Sequence, residues 1–345
     1  MTGKTAIVLF NLGGPDSPDA VQPFLRNLFS DPAIIGVPDP LRWLLARFIS
    51  SRRAPVAREI YAKMGGRSPI LPNTIAQAEA LEAELGEGFK TFIAMRYWHP
   101  RATQVVQEIC SYKPQRVILL PLYPQYSTTT TGSSVREYWE ELSYGYNELW
   151  SADKKVEETN ICCYPTEPGF IAAQAELIAE KLEQATGFGK PRLLLSAHGL
   201  PEKIIKGGDP YQFHCELTAK AIIEKLGQPD LDWKNTYQSR VGPLKWIGPS
   251  TEEEIEKAGH NKTPLVVAPI AFVSEHSETL VELDIEYQEL YEKAGGPFYG
   301  RVPAVGTHPA FIKGLANLVR GRISGGACQR ICSAEWKRCP CKSAA

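Results

Sequence analysis

The sequence lacks the features that would place the chain across a membrane or on a nucleic acid. No uninterrupted apolar run approaches the roughly 18 residues of a membrane span. The 38 Lys and Arg residues are balanced by 39 Asp and Glu residues, so no excess of positive charge supports bulk binding to nucleic acid. The first residues, MTGKTAIVLFNLGG, contain only a short apolar part and no cleavage pattern, which indicates a β-strand rather than a signal peptide. We therefore expect a cytoplasmic protein.

The composition is that of a globular protein, with 43% hydrophobic and 22% charged residues in a chain of 345. At about 150 residues per domain, this length predicts two domains. Helical patterns at 76–85 and 169–184 lie between short β-type runs. The predicted strands are 6–11, 91–97, 116–122, 191–197, 236–240 and 264–272. Strands that alternate with helices favour parallel sheets with crossover helices.

A weak internal repeat suggests how the domains are built. Segment 92–100 resembles 236–244, and segment 117–127 resembles 265–275. We predict an α/β protein with two similar Rossmann-like halves, each a doubly wound parallel sheet, which face a shared cleft. The predicted boundaries are 1–150, 151–322 and a Cys-rich tail at 323–345. The alternative is that the two halves look alike only because both contain βαβ units.

Segment 40–53 has the pattern of a separate amphipathic helix. Its apolar residues follow helical spacing and form one stripe, which consists of Leu41, Leu44, Leu45, Phe48 and Ile49. Four arginines accompany the stripe. The stripe is typical of a helix packed on a core, but it also fits a lip helix that touches an apolar ligand or a membrane surface.

His198 is the first candidate for chemistry. It follows a predicted buried strand, beside Gly199, where α/β proteins place reacting groups. A neutral imidazole accepts a proton or binds a metal near neutral pH. A structural histidine is the alternative.

A row of carboxylates follows the strand at 264–272. The row consists of Glu275, Glu278, Glu282, Glu286 and Glu289, and it opens a predicted helix beside His276. A solvated acidic face is the ordinary interpretation of such a row. Like charges four residues apart destabilise a helix, however, so we expect Glu278 and Glu282 to move protons or bind a cation, and Glu286 and Glu289 to lie on the surface.

Aromatic residues and an arginine mark three further loops. Arg96 and Tyr97 end a predicted strand, Tyr123 precedes a run of four threonines, and Trp246 lies in a loop framed by Gly and Pro. Aromatic rings with an arginine suit a flat, partly anionic ligand. Each loop alone is weak evidence, because aromatic residues at strand ends are commonly part of a core.

Taken together, these segments resemble the ferrochelatase family. The matching segments are NLGGP (11–15), GGRSPI (65–70), RYWHP (96–100), LYPQYSTTTTGSS (122–134), SAHGLP (196–201), QSRVGPLKWIGPST (238–251) and FVSEHSETLVELDIEY (272–287). The resemblance extends from residue 5 to about residue 320. It implies a porphyrin cleft between two Rossmann-like halves and insertion of Fe(II) into protoporphyrin IX, the last step of heme synthesis.

The resemblance also implies roles for individual residues. His198 is the histidine that takes pyrrole protons or binds the incoming iron, with Glu278 as its carboxylate partner. His276 and Glu282 match neighbouring polar positions on the path of the metal or the protons. Residues implied to contact the porphyrin are Leu12, Ser68, Arg96, Tyr97, Tyr123, Trp246 and Phe272. Segment 40–53 falls on the family's lip, which is linked to porphyrin entry and, in some members, to peripheral membrane contact.

The cysteines are concentrated at the end of the chain, where Cys328, Cys332, Cys339 and Cys341 lie. Some ferrochelatases carry a [2Fe–2S] cluster held by three C-terminal cysteines and one internal cysteine. The resemblance implies the ligands Cys163, Cys332, Cys339 and Cys341. Cys162 is the alternative to Cys163, and Cys328 the alternative to Cys332. Zinc held by the four tail thiolates and inert free thiols are the competing interpretations.

The same residues also fit several alternatives to a protoporphyrin ferrochelatase. They are a coproporphyrin ferrochelatase, a chelatase for another metal or tetrapyrrole, a porphyrin or heme carrier and an iron–sulfur redox protein. A carrier has no need of the His198 and Glu278 pairing, and a redox protein has no need of an aromatic cleft. The expected partners are therefore a porphyrin and Fe(II), with no nucleic acid. An oligomer is compatible with the sequence.

Overall fold

The computed structural model describes residues 3–145, 156–240, 242, 244–325, 331–333 and 336–340. The chain divides into two compact units. The first consists of Met1–Cys163 with Ala316–Gln329, and the second of Tyr164–Leu315 with Arg330–Ala345. The change of unit therefore falls at Cys163, later than the boundary predicted at residue 150, and residues near the C-terminus are shared between the units.

The first unit contains a four-stranded parallel sheet in the order β2-β1-β3-β4. Its strands are β1 (Thr5–Asn11), β2 (Phe89–Met95), β3 (Arg116–Pro121) and β4 (Glu157–Asn160). Every residue of the central strand β1 is buried, which explains its uninterrupted apolar run. The helices are α1 (Val21–Ser30), α2 (Asp39–Ala62), α3 (Ile70–Leu85), α4 (Ala102–Tyr112) and α5 (Thr131–Gly145).

The second unit repeats this arrangement, with the strand order β6-β5-β7-β8. Its strands are β5 (Arg192–His198), β6 (Asp232–Gln238), β7 (Leu265–Pro269) and β8 (Tyr299–Arg301). The helices are α6 (Pro168–Thr186), α7 (Glu202–Lys206), α8 (Tyr211–Leu226), α9 (Thr251–His260), a π-helix (Glu278–Glu286) and α10 (Tyr287–Lys293). Helix α11 (Pro309–Ile323) begins in the second unit and ends in the first. The two parallel sheets confirm the predicted α/β fold class. Strands β4 and β8 escaped prediction because they are short edge strands without an apolar run.

Helix α2 differs from its prediction in length and in the face that it buries. It extends to Ala62, with Pro55 in its interior, rather than ending at residue 53. Small residues, among them Ala46 and Ala54, are buried, while most of the predicted apolar stripe is exposed. The core-packed interpretation of that stripe is therefore wrong for Leu41, Leu44 and Phe48, which are each at least half exposed.

Among the helices in the described part of the chain, none is both long enough and apolar enough to cross a membrane.

Candidate active site

Three neighbouring segments of the second unit meet at the carboxyl edge of its sheet. His198 is the last residue of β5, and its partner in the adjacent strand β6 is Gln238, so Ser239 follows at the same edge. Strand β7 lies on the other side of β5, and the chain that leaves β7 enters the π-helix at Glu278. Parallel strands place their carboxyl ends together, which is why residues distant in sequence converge here.

His198 and Glu278 form a hydrogen-bonded pair. His198 Nδ1 lies 2.9 Å from Glu278 Oε2, and the two side chains keep 36% and 28% of their surface accessible. Burial opposes protonation of His198, but the Glu278 carboxylate outweighs it and raises the pKa of His198. Burial alone would raise the pKa of Glu278, yet His198 reverses this effect and lowers the pKa of that carboxyl. The pair therefore favours an ionised carboxylate beside an imidazole that readily accepts a proton.

Glu282 lies four residues after Glu278 on the same π-helix. One of its carboxylate oxygens accepts hydrogen bonds from the Ser239 backbone N–H at 2.9 Å and from the Tyr287 hydroxyl at 2.9 Å. The other accepts from the Ser239 hydroxyl at 2.6 Å and from Gln238 Nε2 at 3.2 Å. Burial, together with the negative charge of Glu278, raises the pKa of Glu282. The site thus contains two neighbouring carboxyls whose pKa values are driven apart, a pattern common where groups exchange protons.

The middle of the carboxylate row lies on a π-helix rather than an α-helix, which the residue pattern did not predict. Glu278 and Glu282 both lie on this helix, whereas Glu275 precedes it and accepts a hydrogen bond from Arg301 Nη1 at 2.6 Å. Glu286 and Glu289 are exposed, as the sequence predicted. Short π-helical segments occur frequently at functional sites. A residue pattern at α-helical spacing does not distinguish a π-helix from an α-helix.

The rings of His276 and Phe272 contact each other, and His276 lies close to Glu278. Their rings make an edge-to-face contact with centroids 4.5 Å apart. His276 Nδ1 lies 3.1 Å from the Ser274 carbonyl oxygen, and His276 Nε2 lies 4.0 Å from Glu278 Oε2. The structure therefore brings His276 next to Glu278, one of the two residues predicted to carry the reaction.

Trp246 lies against the loop that follows His198. The backbone pairs Trp246 with Pro201, and Ile247 N–H donates to the Leu200 carbonyl at 3.0 Å. A Cβ atom added to Gly199 would lie 3.3 Å from the Trp246 ring and 2.9 Å from the Gln238 carbonyl oxygen. The glycine thus permits the close approach of the indole ring to the His198 loop.

The remaining predicted residues lie in the first unit, where a buried carboxylate organises two of them. Asp31 is 2% exposed and accepts hydrogen bonds from Arg96 Nη2 at 2.9 Å and from the Tyr97 hydroxyl at 2.8 Å. The Ser133 hydroxyl donates to Asp31 and accepts from Arg96 Nε, while Arg96 Nη1 pairs with Glu137 at 3.0 Å. Arg96 is thus held between two carboxylates. Sequence reasoning missed Asp31, which carries no motif and follows the last turn of α1.

Leu12, Ser68 and Tyr123 surround the strand ends of this unit. Leu12 packs against the cluster that contains Tyr97, and Ser68 N–H donates to the Pro15 carbonyl at 2.8 Å. A Cβ atom on Gly14 would lie 2.5 Å from the Ser68 side chain, so the close approach of Ser68 requires this glycine. Burial raises the pKa of Tyr123 above its ordinary value.

The described cysteines of the predicted cluster belong to both units. Cys162 Sγ and Cys163 Sγ lie 3.3 Å apart in the first unit. Cys332 is buried in the second unit, 3.1 Å from His214 Nε2, and Cys339 is half-buried. Cys328 and Cys341 lie outside the described residues. Within the described ranges, no group of three or more His, Cys, Asp or Glu side chains is arranged to hold a metal ion.

The chain is similar to known proteins over nearly its whole length. The family model described as Ferrochelatase matches residues 4–323. A ferrochelatase of Caulobacter vibrioides is 52% identical, with 100% of this chain and 99% of the relative covered. A ferrochelatase of Pelagibacter ubique is 48% identical, with 98% of each covered.

Among solved structures, SirB from Bacillus subtilis with Fe3+ superposes with a TM-score of 0.54 at 13% identity. The match covers 92% of this chain and 95% of SirB, and it supports the fold alone. The family model spans nearly the whole chain, and the relatives match it at about half of all positions. The chain therefore belongs to the ferrochelatase family.

Proposed function

We propose that this protein inserts Fe(II) into protoporphyrin IX, which yields heme b and releases two pyrrole protons. The observation that carries the proposal is the His198 and Glu278 pair at the carboxyl edge of the second sheet, in a chain of the ferrochelatase family. A porphyrin must lose both N–H protons before its four nitrogens bind iron. A base held by a carboxylate is the group that this step needs.

The orientation of His198 suits proton removal. Because Nδ1 donates to Glu278, the neutral imidazole presents its lone pair at Nε2. A proton taken up at Nε2 gives an imidazolium whose charge the neighbouring carboxylate stabilises, as in a serine protease triad. The raised pKa of His198 makes it a stronger base than a free histidine.

Glu282 is suited to accept protons on their way out of the site. Its raised pKa makes it a better proton acceptor than an ordinary glutamate, and it shares Ser239 with Glu278. We assign Glu282 and His276 to the path by which the protons depart.

Imidazole and carboxylate also bind Fe(II) with moderate strength, so His198 and Glu278 can receive the substrate iron and release it.

Porphyrin contacts are proposed for seven residues. Trp246 and Phe272 lie beside the His198 loop and beside His276, respectively, and suit the walls of an aromatic pocket. Leu12, Ser68, Arg96, Tyr97 and Tyr123 are proposed from the family resemblance. The ion pairs of Arg96 with Asp31 and Glu137 support a guanidinium held in a fixed position.

Anaerobic incubation with Fe(II) and protoporphyrin IX tests this function. We expect the porphyrin spectrum to be replaced by that of heme in the presence of the protein, much faster than in its absence. Parallel reactions with coproporphyrin identify the preferred porphyrin. A shift of the porphyrin spectrum without any metal insertion would overturn the proposal in favour of a porphyrin carrier.

A [2Fe–2S] cluster is proposed on Cys163, Cys332, Cys339 and Cys341. Four thiolates are the usual ligands of such a cluster, so the chemistry of this donor set fits. In the tail, Cys332 is buried beside His214, and Trp336 stacks on Phe213 with ring centroids 5.8 Å apart. When bound, the cluster would cross-link the tail through iron–sulfur bonds, and we assign it a role in stability rather than in catalysis.

We further propose that the protein is cytoplasmic and touches membranes through α2. Leu41, Trp43, Leu44 and Phe48 are exposed on this helix, and Arg52 lies 5.3 Å from the Phe48 ring centre. Exposed apolar side chains among arginines suit an anionic lipid surface. Sedimentation with phosphatidylserine vesicles tests this contact, and it should weaken in Phe48→Ser but not in Ile75→Ser, which alters an exposed apolar residue of another helix.

A further inference from the structure

Ser239 has a backbone conformation that L-amino acids rarely adopt. Its φ is +60°, in the left-handed region, directly after strand β6 ends at Gln238. Lys113 and Lys262 share this property, and both are exposed residues that follow helices. A serine in this region is strained relative to a glycine, and such strain persists only where surrounding contacts impose it. The strained backbone of Ser239 therefore points to contacts that hold it in place.

Both hydrogen-bond donors of Ser239 are directed at the same carboxylate. Its backbone N–H donates to Glu282 Oε1 at 2.9 Å, and its hydroxyl donates to Glu282 Oε2 at 2.6 Å. Each oxygen of Glu282 thus receives one donor from a single residue. The hydroxyl oxygen also lies 3.4 Å from Glu278 Oε2, so Ser239 stands between the two carboxyls of the site.

The left-handed turn explains how one residue achieves this. In a continuing strand, the backbone N–H points along the sheet and the side chain stands roughly perpendicular to it. The left-handed turn at Ser239 ends the strand and directs both the backbone N–H and the hydroxyl of this residue at the Glu282 carboxylate. Glycine would adopt the same backbone without strain, but it has no hydroxyl. A serine at a strained position indicates a use for the hydroxyl.

We propose that Ser239 is a positioning residue whose hydroxyl fixes the Glu282 carboxylate beside Glu278 during metal insertion. This inference rests on the proposed function, because it assigns Ser239 to the proton path of that reaction. Ser239 does not itself need to exchange a proton. It limits the positions of Glu282, and misplacement of a participating group by about 1 Å is sufficient to cost as much as 10²-fold in rate.

Three variants separate the hydroxyl from the backbone. Ser239→Gly removes the hydroxyl and relieves the strain, whereas Ser239→Thr keeps a hydroxyl and adds a β-branch that disfavours this backbone. Lys262→Gly relieves a left-handed backbone at an exposed position of the same unit and serves as the control. The melting temperature, kcat and KM for both substrates are measured for each variant and for the wild type.

We expect activity and stability to move in opposite directions. Ser239→Gly should melt at or above the wild-type temperature, yet show a kcat lowered about 10-fold or more with smaller changes in KM. Ser239→Thr should melt lower but retain more turnover than the glycine variant. Lys262→Gly should keep the wild-type kcat.

A Ser239→Gly variant with wild-type kcat would overturn the assignment of Ser239 and leave the proposed function intact. The assignment also fails if kcat in the wild type, Ser239→Gly and Ser239→Thr rises and falls with the melting temperature. That pattern indicates a purely structural residue. Absence of iron insertion by the wild type would instead overturn the proposed function, so the two failures are distinguishable.

Discussion

His198 Nδ1 lies 2.9 Å from Glu278 Oε2, although 80 residues separate them in the sequence. The first ends strand β5, and the second begins the π-helix that follows strand β7. The pair exists because β5 and β7 are parallel neighbours, so that their carboxyl ends share one edge of the sheet. It is the arrangement on which the proposed proton removal depends.

Replacement of His198 by Ala should abolish most metal insertion. Loss of a general base typically costs 10²–10⁴-fold in rate, and we expect a fall of this order in kcat. The fold and porphyrin binding should survive, because the side chain is partly accessible and contributes little to the core. Heme formation and circular dichroism are measured together, with His260→Ala, an exposed histidine on α9, as the matched control. Near-normal turnover in a folded His198→Ala protein would refute its role.

Glu278 should matter far more than Glu289. Glu278→Gln removes the charge that holds His198, and we expect kcat to fall by about 10²-fold or more. Glu289 is exposed and pairs with Lys293 at 3.2 Å on the surface, so Glu289→Gln should change kcat little. Equal and mild losses in the two variants would support a solvated acidic face.

The pKa of His198 should respond to Glu278 in a defined direction. Burial lowers this pKa and the carboxylate raises it, so Glu278→Gln should shift the imidazole titration to lower pH. In the wild type, the raised folded-state pKa contributes stability that is complete below the ordinary value of about 6.5 and is lost as the pH rises through the folded pKa. NMR titration of isotope-labelled histidine measures the shift. An unchanged or higher pKa in the variant would contradict the coupling.

Asp31 should be important for stability. Its side chain is fully buried, pairs with Arg96 and accepts hydrogen bonds from the Tyr97 and Ser133 hydroxyls. Asp31→Asn therefore removes the charge partner of a buried guanidinium. Breaking a buried pair commonly costs 3–5 kcal/mol, and we expect a loss of about 3 kcal/mol, because Arg96 keeps Glu137. Urea unfolding measures this loss. The control is Glu157→Gln, a more exposed partner of Arg116, which should cost no more than about 1 kcal/mol.

The purified protein should carry a visible chromophore on its cysteines. We expect a reddish-brown colour that dithionite bleaches, with about two acid-labile sulfides per chain. Ser substitution at Cys163, Cys339 or Cys341 should remove the colour, whereas Cys328→Ser and the control Cys110→Ser should keep it. A colourless protein with stoichiometric zinc after anaerobic purification would refute the cluster. Colour that survives Cys163→Ser but not Cys162→Ser would instead correct the choice of the internal ligand.

Much of the architecture and part of the site followed from residue patterns. The buried apolar run of β1 and the similar segments in the two halves predicted two parallel α/β sheets, because strands covered on both faces need apolar residues throughout. His198 and Glu278 were identified by their places after predicted strands and by family motifs. Local patterns of this kind depend on neighbours in the chain, which the sequence displays directly.

Other features arose only when distant segments came together. The outward stripe of α2 was decided by which face the fold covered, since periodicity alone does not say which face is buried. Asp31 pairs with Arg96 because α1 ends beside the end of β2, and no local sequence pattern marks Asp31 for this role. The left-handed backbone of Ser239 and the π-helix of Glu278 likewise depend on hydrogen bonds between elements. Sequence thus determined the chemistry available, and the tertiary structure decided which groups could act together.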